Sequence, residues 1–283
     1  MKLIRFGEPG REKPGVEQDS GQRVDLSDAI VDYTPEFFAS GGLERVKALV
    51  AGDTKFPIVA AGVRLGPPVA RPHKFIAIGL NYRKHAEELG LPIPSEPVVF
   101  TKLTSCIMGP NDDVIVPRGS TKLDYEAELA FVMKDKVRYL ASEKEALAHV
   151  AGFTICNDVS ERNFQLERGG QWVKGKSCDT FGPLGPCLIT TDALPEYGKL
   201  EISLKVNGEV RQSSNTDDMI FAVPYVVHYL SQYFTLEPGD VITTGTPSGV
   251  ASGMKPPKFL KAGDKVEVTF AKLGTQTLTV REG

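Results

Sequence analysis

The sequence has no apolar run of bilayer-spanning length, no block of basic residues interleaved with aromatics and no CxxC pair. The first absence excludes a transmembrane helix, and the opening "MKLIRFGEPGREKPG" lacks the basic-then-apolar order of a secretory leader. The second leaves no nucleic-acid footprint, in keeping with a formal charge of −3. The four cysteines, Cys106, Cys156, Cys178 and Cys187, have neither zinc-ligand spacing nor the density of a disulfide scaffold, so reduced thiols are expected. A cytoplasmic protein acting on small molecules, without nucleic-acid or membrane partners, is the expectation. At 283 residues, 41% hydrophobic and 24% charged, the chain can bury one large core plus a small annex.

The first 70 residues carry few signals: two short strands, "KLIRFG" and "QRVDLSD", and a helical stripe through Leu43, Val46, Leu49 and Val50. The Pro-rich "RLGPPVARPHK" marks an expected boundary, giving a small N-terminal unit over 1–70 and a main domain over 71–283. From Lys74 onward short strands recur, among them "FIAIGL", "PVVF", "YEAELAFVM", "FTICNDV" and "DVITTG". Their alternation and turn punctuation predict a β-rich α+β domain with few helices.

In "LDYEAELAFV" Glu126 and Glu128 lie two apart, which in a strand places both carboxylates on one face. Alone, such a pair is more often a solvated edge facing lysines. Among apolar neighbours, however, two like charges repel at a cost that a hard divalent cation such as Mg²⁺, Mn²⁺ or Ca²⁺ would remove. Asp158, closing the apolar run "FTICND", is a candidate third oxygen ligand. Lys174 and Lys176 in "VKGKS" share a side if that segment is extended, and Lys176 is the candidate partner for an anionic substrate, Lys174 a surface lysine. His85 and Glu88 stand at i and i+3 in a short helix after "FIAIGLNY", where a carboxylate can orient an imidazole as a general base. His73, His149 and His228 have no such companion and read as structural. The Gly-rich "GDVITTGTPSGVASG" could turn backbone N–H groups and hydroxyls toward an anion, and it is not a P-loop.

Seven ordered segments resemble the fumarylacetoacetate hydrolase family over about Lys74 to Val280: "IGLNYRKHAEE", "FTKLTSCIMGPNDDVIVP", "LDYEAELAFV", "GFTICNDVSERNFQ", "KGKSCDTFGPLGP", "VNGEVRQ" and "LSQYFTLEPGDVITTGTPSGV". The resemblance implies a rolled mixed β-sandwich with a small N-terminal β-rich domain, usually dimeric. It implies Mg²⁺ or Mn²⁺ on Glu126, Glu128 and Asp158, a catalytic His85–Glu88 dyad, catalytic Lys176, and substrate contacts from Gln165, Lys176 and Thr246. The implied activity is metal-dependent hydrolysis of the C3–C4 bond of a 2,4-dioxo acid, a 2,4-diketo-3-deoxy sugar acid or an acylpyruvate, to pyruvate and a carboxylic acid. Relatives also decarboxylate or isomerise 2-oxo diacids through the same stabilised enolate. Two departures bear on substrate: Cys178 stands where an aromatic is common, and "QLERGGQW" lacks the tyrosine-bearing version, which makes fumarylacetoacetate itself an unexpected substrate. Cys178 is expected to be a packing thiol.

Overall fold

The computed structural model describes residues 1–52 and 54–283. Its centre is a mixed sheet of eleven strands, in which Gly182–Thr190, Val150–Asn157, Ala127–Met133, Val241–Thr243, Phe75–Gly79 and Val98–Lys102 lie side by side in that order. Most neighbours are antiparallel, but Val241–Thr243 runs parallel to Phe75–Gly79. A five-stranded sheet, built from Val114–Val116, Glu201–Val206, Glu209–Asn215, Lys265–Phe270 and Gly274–Glu282, supplies the second layer. The β-rich class and the rolled, multi-sheet architecture follow the expectation.

Every residue of Ala127–Met133 and of Val150–Asn157 is buried. Such continuous burial belongs to strands covered on both faces, so the alternation in "EAELAFVM" separates two interior environments rather than core from water. Leu129, Phe131 and Met133 fall on one side, Glu128, Ala130 and Val132 on the other.

Residues 1–70 were expected as a unit of their own. Their strand Lys2–Phe6 pairs with Gly182–Thr190 and so extends the central sheet, carrying Lys13–Glu17 and Arg23–Asp25 beyond it. Their apolar side chains, Leu3, Ile4, Phe37 and Val46 among them, join the same buried cluster as the central strands. The expected helical stripe forms Gly42–Ala51, after the separate turn Pro35–Ala39. Among the described residues, no helix is long and apolar enough to cross a membrane.

Candidate active site

The acidic face is assembled by strand register. Ala127 opposes Asn157, and Asp158 N–H donates to the carbonyl of Glu126 at 2.9 Å. Two further bonds fix the segment: Glu126 N–H to Asn157 Oδ1 at 3.0 Å, and Ala127 N–H to Gln212 Oε1 at 2.9 Å. The three carboxylates are thereby buried together, with one oxygen from each within 4.8 Å of the others.

Three buried cations surround them. Lys176 Nζ bridges Glu126 Oε2 at 2.6 Å and Asp158 Oδ2 at 2.7 Å. Lys102 Nζ donates to Asp158 Oδ1 at 2.6 Å and also to the backbone carbonyl of Lys176. Arg162 spans two acids, with Nη2 2.6 Å from Glu126 and Nε 2.8 Å from Asp124, and its Nη1 donates to Gln165 Oε1 at 3.0 Å. Glu128 is different. It accepts the N–H of Gly245 at 3.0 Å and forms no ion pair among the described residues.

This asymmetry sets the electrostatics. Burial alone would raise Glu126, but Lys176 and Arg162 outweigh it and hold the carboxyl down at about 2. Burial, then Asp158 and Glu126, push Glu128 well above the usual carboxylate range. Four carboxylates (Asp124, Glu126, Glu128, Asp158) face three cations (Lys102, Arg162, Lys176), so with all four ionised one negative charge is unmatched. An all-oxygen donor set with surplus negative charge fits a hard divalent cation, and Glu126, Glu128 and Asp158 are the residues that would hold it.

His85 lies in the helix Arg83–Glu88 beside this floor. Its Nδ1 is 3.0 Å from Glu88 Oε2, and a carboxylate acceptor fixes Nδ1 as the protonated nitrogen, leaving Nε2 as the base. The other oxygen of Glu88 accepts Gly249 N–H at 2.9 Å. Asp124 likewise accepts Ala251 N–H at 2.8 Å and Ser252 N–H at 3.1 Å. With Glu128 on Gly245 N–H, the Gly-rich turn is therefore held by three acids. Gly245, at φ 88°, crosses so close to Asn81 that a Cβ would lie 2.9 Å from it. Thr246 Oγ1 donates to Ala127 O at 3.1 Å and accepts from Gln212 at 2.8 Å, so its hydroxyl is already committed.

A cavity of about 310 Å³ opens onto these groups, lined by His85, Glu126, Glu128, Arg162, Gln165, Lys176 and Thr246 together with apolar side chains. Asp158 lies beneath it and Glu88 behind His85. All eight residues named from the sequence thus meet in one place. Lys174 does not: Val173–Lys176 is a helical turn rather than an extended segment, so Lys176 points inward while Lys174 is exposed. Cys178 is partly buried against the carbonyl of Lys174 at 3.5 Å, and burial raises its thiol. Arg162, Lys102 and Asp124 are additions of the structure. Arg162 sits in "NDVSERNFQ" between two residues singled out there, which was the available signal. A larger cavity of about 550 Å³ beside Arg5 and Arg64 holds no such cluster, those two arginines being paired with Asp32, Glu12 and Asp112.

Residues 74–281 match the family described as "Fumarylacetoacetate (FAA) hydrolase C-terminal". A Burkholderia cenocepacia protein, whose name assigns it provisionally to the hydrolases, is 48% identical over 282 residues, 99% of each chain. Among solved structures, a fumarylacetoacetate hydrolase from Exiguobacterium antarcticum is 36% identical with a TM-score of 0.86, covering 100% of both chains. A 5-carboxymethyl-2-hydroxymuconate delta-isomerase from Mycobacterium smegmatis is 31% identical with a TM-score of 0.77, over 100% of this chain and 99% of that one. Maleylpyruvate hydrolase from Sphingobium sp. SYK-6, solved with manganese(II) and pyruvate, is 27% identical with a TM-score of 0.80 over 100% of both.

Proposed function

The chain belongs to the fumarylacetoacetate hydrolase family, and from that premise we propose that it hydrolyses the C3–C4 bond of a 2,4-dioxo acid to pyruvate and a carboxylic acid. One observation carries this reading: His85, backed by Glu88, and Lys176 line the same cavity as Glu126 and Glu128, with Asp158 clustered beneath them. The manganese and pyruvate of the Sphingobium hydrolase agree in kind. The substrate is a small anionic 2-oxo acid, an acylpyruvate or a 2,4-diketo-3-deoxy sugar acid.

A divalent cation, Mg²⁺ or Mn²⁺, on Glu126, Glu128 and Asp158 would supply Lewis-acid stabilisation of negative charge on the substrate's oxygens. His85 Nε2 takes the proton of a water attacking the C4 carbonyl, while Glu88 at Nδ1 holds the tautomer and stabilises the imidazolium. Breaking C3–C4 leaves the electron pair on C3 as pyruvate enolate, beside the fixed positive charge of Lys176. Proton return to C3 completes the balance: the water's hydroxyl ends in the carboxylic acid and its proton in the methyl of pyruvate. Gln165 has its Oε1 engaged by Arg162, which leaves its amide N–H groups for a substrate oxygen.

An isomerase or decarboxylase needs the same charged floor but no attacking water. The His85–Glu88 pair favours hydrolysis because it is a base placed for water activation. Pyruvate release from 2,4-dioxo acids, with Mg²⁺ or Mn²⁺ and after EDTA, tests the assignment on wild type and His85→Ala. Cation-dependent pyruvate, lost in His85→Ala, is expected. Turnover of oxaloacetate alone, surviving that substitution, would replace hydrolysis with decarboxylation.

A further inference from the structure

The segment "VNGEVRQ" carries no group that lines the cavity, yet its last residue, Gln212, touches the acidic strand and the Gly-rich turn at once. Gln212 lies on Glu209–Asn215 of the five-stranded sheet, and its side chain is fully buried. The same row of that sheet runs on through Leu204 and Val268 to a second buried glutamine, Gln276. The two amides dock the five-stranded sheet on different parts of the central one.

Strand register explains what Gln212 does there. Val241–Thr243 pairs with Ala127–Met133 through Ala130↔Thr243, Phe131↔Ile242 and Val132↔Val241, and Thr244 N–H still reaches Leu129 O at 3.1 Å. Continued, that register would set Thr246 against Ala127 and close the next pair of ladder bonds. Gly245 breaks it: at φ 88° the chain turns out of the sheet, and the Gly245 N–H goes to Glu128 Oε2 instead. Ala127, the residue between the two glutamates, thereby loses both ladder partners. Gln212 Oε1 takes its N–H at 2.9 Å, and Thr246 Oγ1 donates to its carbonyl at 3.1 Å. Gln212 Nε2 closes the ring on Thr246 Oγ1 at 2.8 Å and gives its second N–H to Pro247 O at 2.8 Å. The amide can face only this way, because a backbone N–H donates and a proline carbonyl accepts. The turn is also pressed against the same strand, since a Cβ on Gly249 would overlap the carbonyl of Arg211.

Resting on the cation reading above, we propose that Gln212 is a positioning residue for the cation site. Its amide replaces the strand that the Gly-rich turn abandons, and so fixes the peptide from which Glu126 and Glu128 project. Carboxylates two residues apart reach one shared cation only while the peptide between them stays extended. Ala127 is held in that form from the five-stranded sheet rather than by a neighbouring strand. Gln212 acts through Ala127 and Thr246 and touches neither cation nor substrate.

The test is the Mn²⁺ affinity of the full chain, read from the paramagnetic resonance of the free ion, for wild type, Gln212→Met and Gln276→Met. Both substitutions keep the length of the side chain and remove its polar atoms. Gln276 Nε2, however, is bonded to Ile155 O, Pro183 O and Gly185 O, none of them part of the acidic cluster. Gln212→Met is expected to bind Mn²⁺ about ten- to a hundredfold more weakly, and Gln276→Met to bind it as wild type does. Unchanged affinity in Gln212→Met, or an equal loss in both variants, would overturn the proposal. Should Gln212→Met not fold, Gln212→Asn keeps the amide one methylene too short to span Ala127 and Thr246, and the same loss is expected of it. Amide hydrogen exchange in EDTA reads the positioning without a cation. Protection is expected to fall at Ala127 and Gly245 in the Gln212 variant and to persist in the rest of Ala127–Met133. Loss along the whole strand, or none at Ala127, would count against it. If wild type binds no Mn²⁺, the cation reading fails, and the exchange pattern alone decides whether Gln212 positions the two glutamates.

Discussion

Replacing Glu128 by Gln separates the two demands placed on that side chain. Gln keeps the shape and an oxygen to accept Gly245 N–H, but removes the charge that has no cation beside it. Two like charges no more than 4.8 Å apart repel by at least about 3.5 kcal/mol at an effective dielectric constant near 20, which pushes the Glu128 carboxyl up and makes it cost folding free energy whether it stays charged or takes a proton. Glu128 faces two such neighbours, Glu126 and Asp158, with Lys176 offsetting part of the repulsion. A net gain on the order of 1–3 kcal/mol for the cation-free Gln variant follows. At about 2 °C per kcal/mol for a chain of this length, its Tm in EDTA should rise by about 2–6 °C. Wild type should instead gain from a cation, by about 2.7 kcal/mol at a hundred times Kd, or about 5 °C. Differential scanning fluorimetry in EDTA and in a Mn²⁺ series reads both effects. A Gln variant that melts below wild type in EDTA, yet keeps the full Mn²⁺ shift, would refute both the repulsion and the ligand role.

His85→Ala should lower kcat for pyruvate release by about 10²–10⁴ while leaving the Mn²⁺ thermal shift in place, since His85 is no ligand of the acidic cluster. Arg162→Met should destabilise by about 3–5 kcal/mol, because it strands Asp124 without a counter-charge and leaves Glu126 only Lys176, and urea unfolding would measure it. Glu126 is held below its unfolded range, so its contribution is complete above about pH 4.5 and is lost as the pH falls toward 2. Wild type in EDTA should therefore lose stability more steeply than Glu126→Gln across that window, and parallel Tm-against-pH curves would contradict this. Gly79→Ala should displace Trp172 and raise KM more than it lowers kcat, seen in steady-state kinetics together with a shifted emission maximum.

Those features of the site that obey a local period were legible in the sequence. Glu126 and Glu128 share a face because a strand repeats every two residues, and His85 meets Glu88 because a helix brings i and i+3 together. Asp158 could be named as a ligand but not placed, since its position depends on which strand pairs with Ala127–Met133. The counter-charges were hidden for the same reason. Lys102 reaches Asp158 across 56 residues and Arg162 reaches Glu126 across 36, and no spacing rule connects them. Lys174 and Lys176 went the other way: "VKGK" has no helical signal of its own, yet it closes a turn packed so tightly on the preceding helix, Arg162–Leu166, that a Cβ on Gly175 would lie 2.5 Å from Gln165. The N-terminal boundary followed a real Pro-rich stretch, but composition does not reveal that Lys2–Phe6 finds an edge of the central sheet.

The acidic floor of the cavity and three leucines that line it, Leu89, Leu91 and Leu166, differ in how freely they can be altered. The floor hangs on strands enclosed on both faces, where a change of one methylene is felt by every neighbour. Leu89, which caps the helix of His85, Leu91, and Leu166, which ends the helix of Arg162, are partly exposed, and a replacement at such a surface usually shifts stability by no more than about 0.5 kcal/mol. Leu89 directly follows Glu88 and Leu166 directly follows Gln165, whereas Leu91 adjoins no residue of the site in the chain. A library at Leu91 could therefore be screened for altered substrate range without changing any neighbour in sequence of His85, Glu88 or the carboxylate cluster.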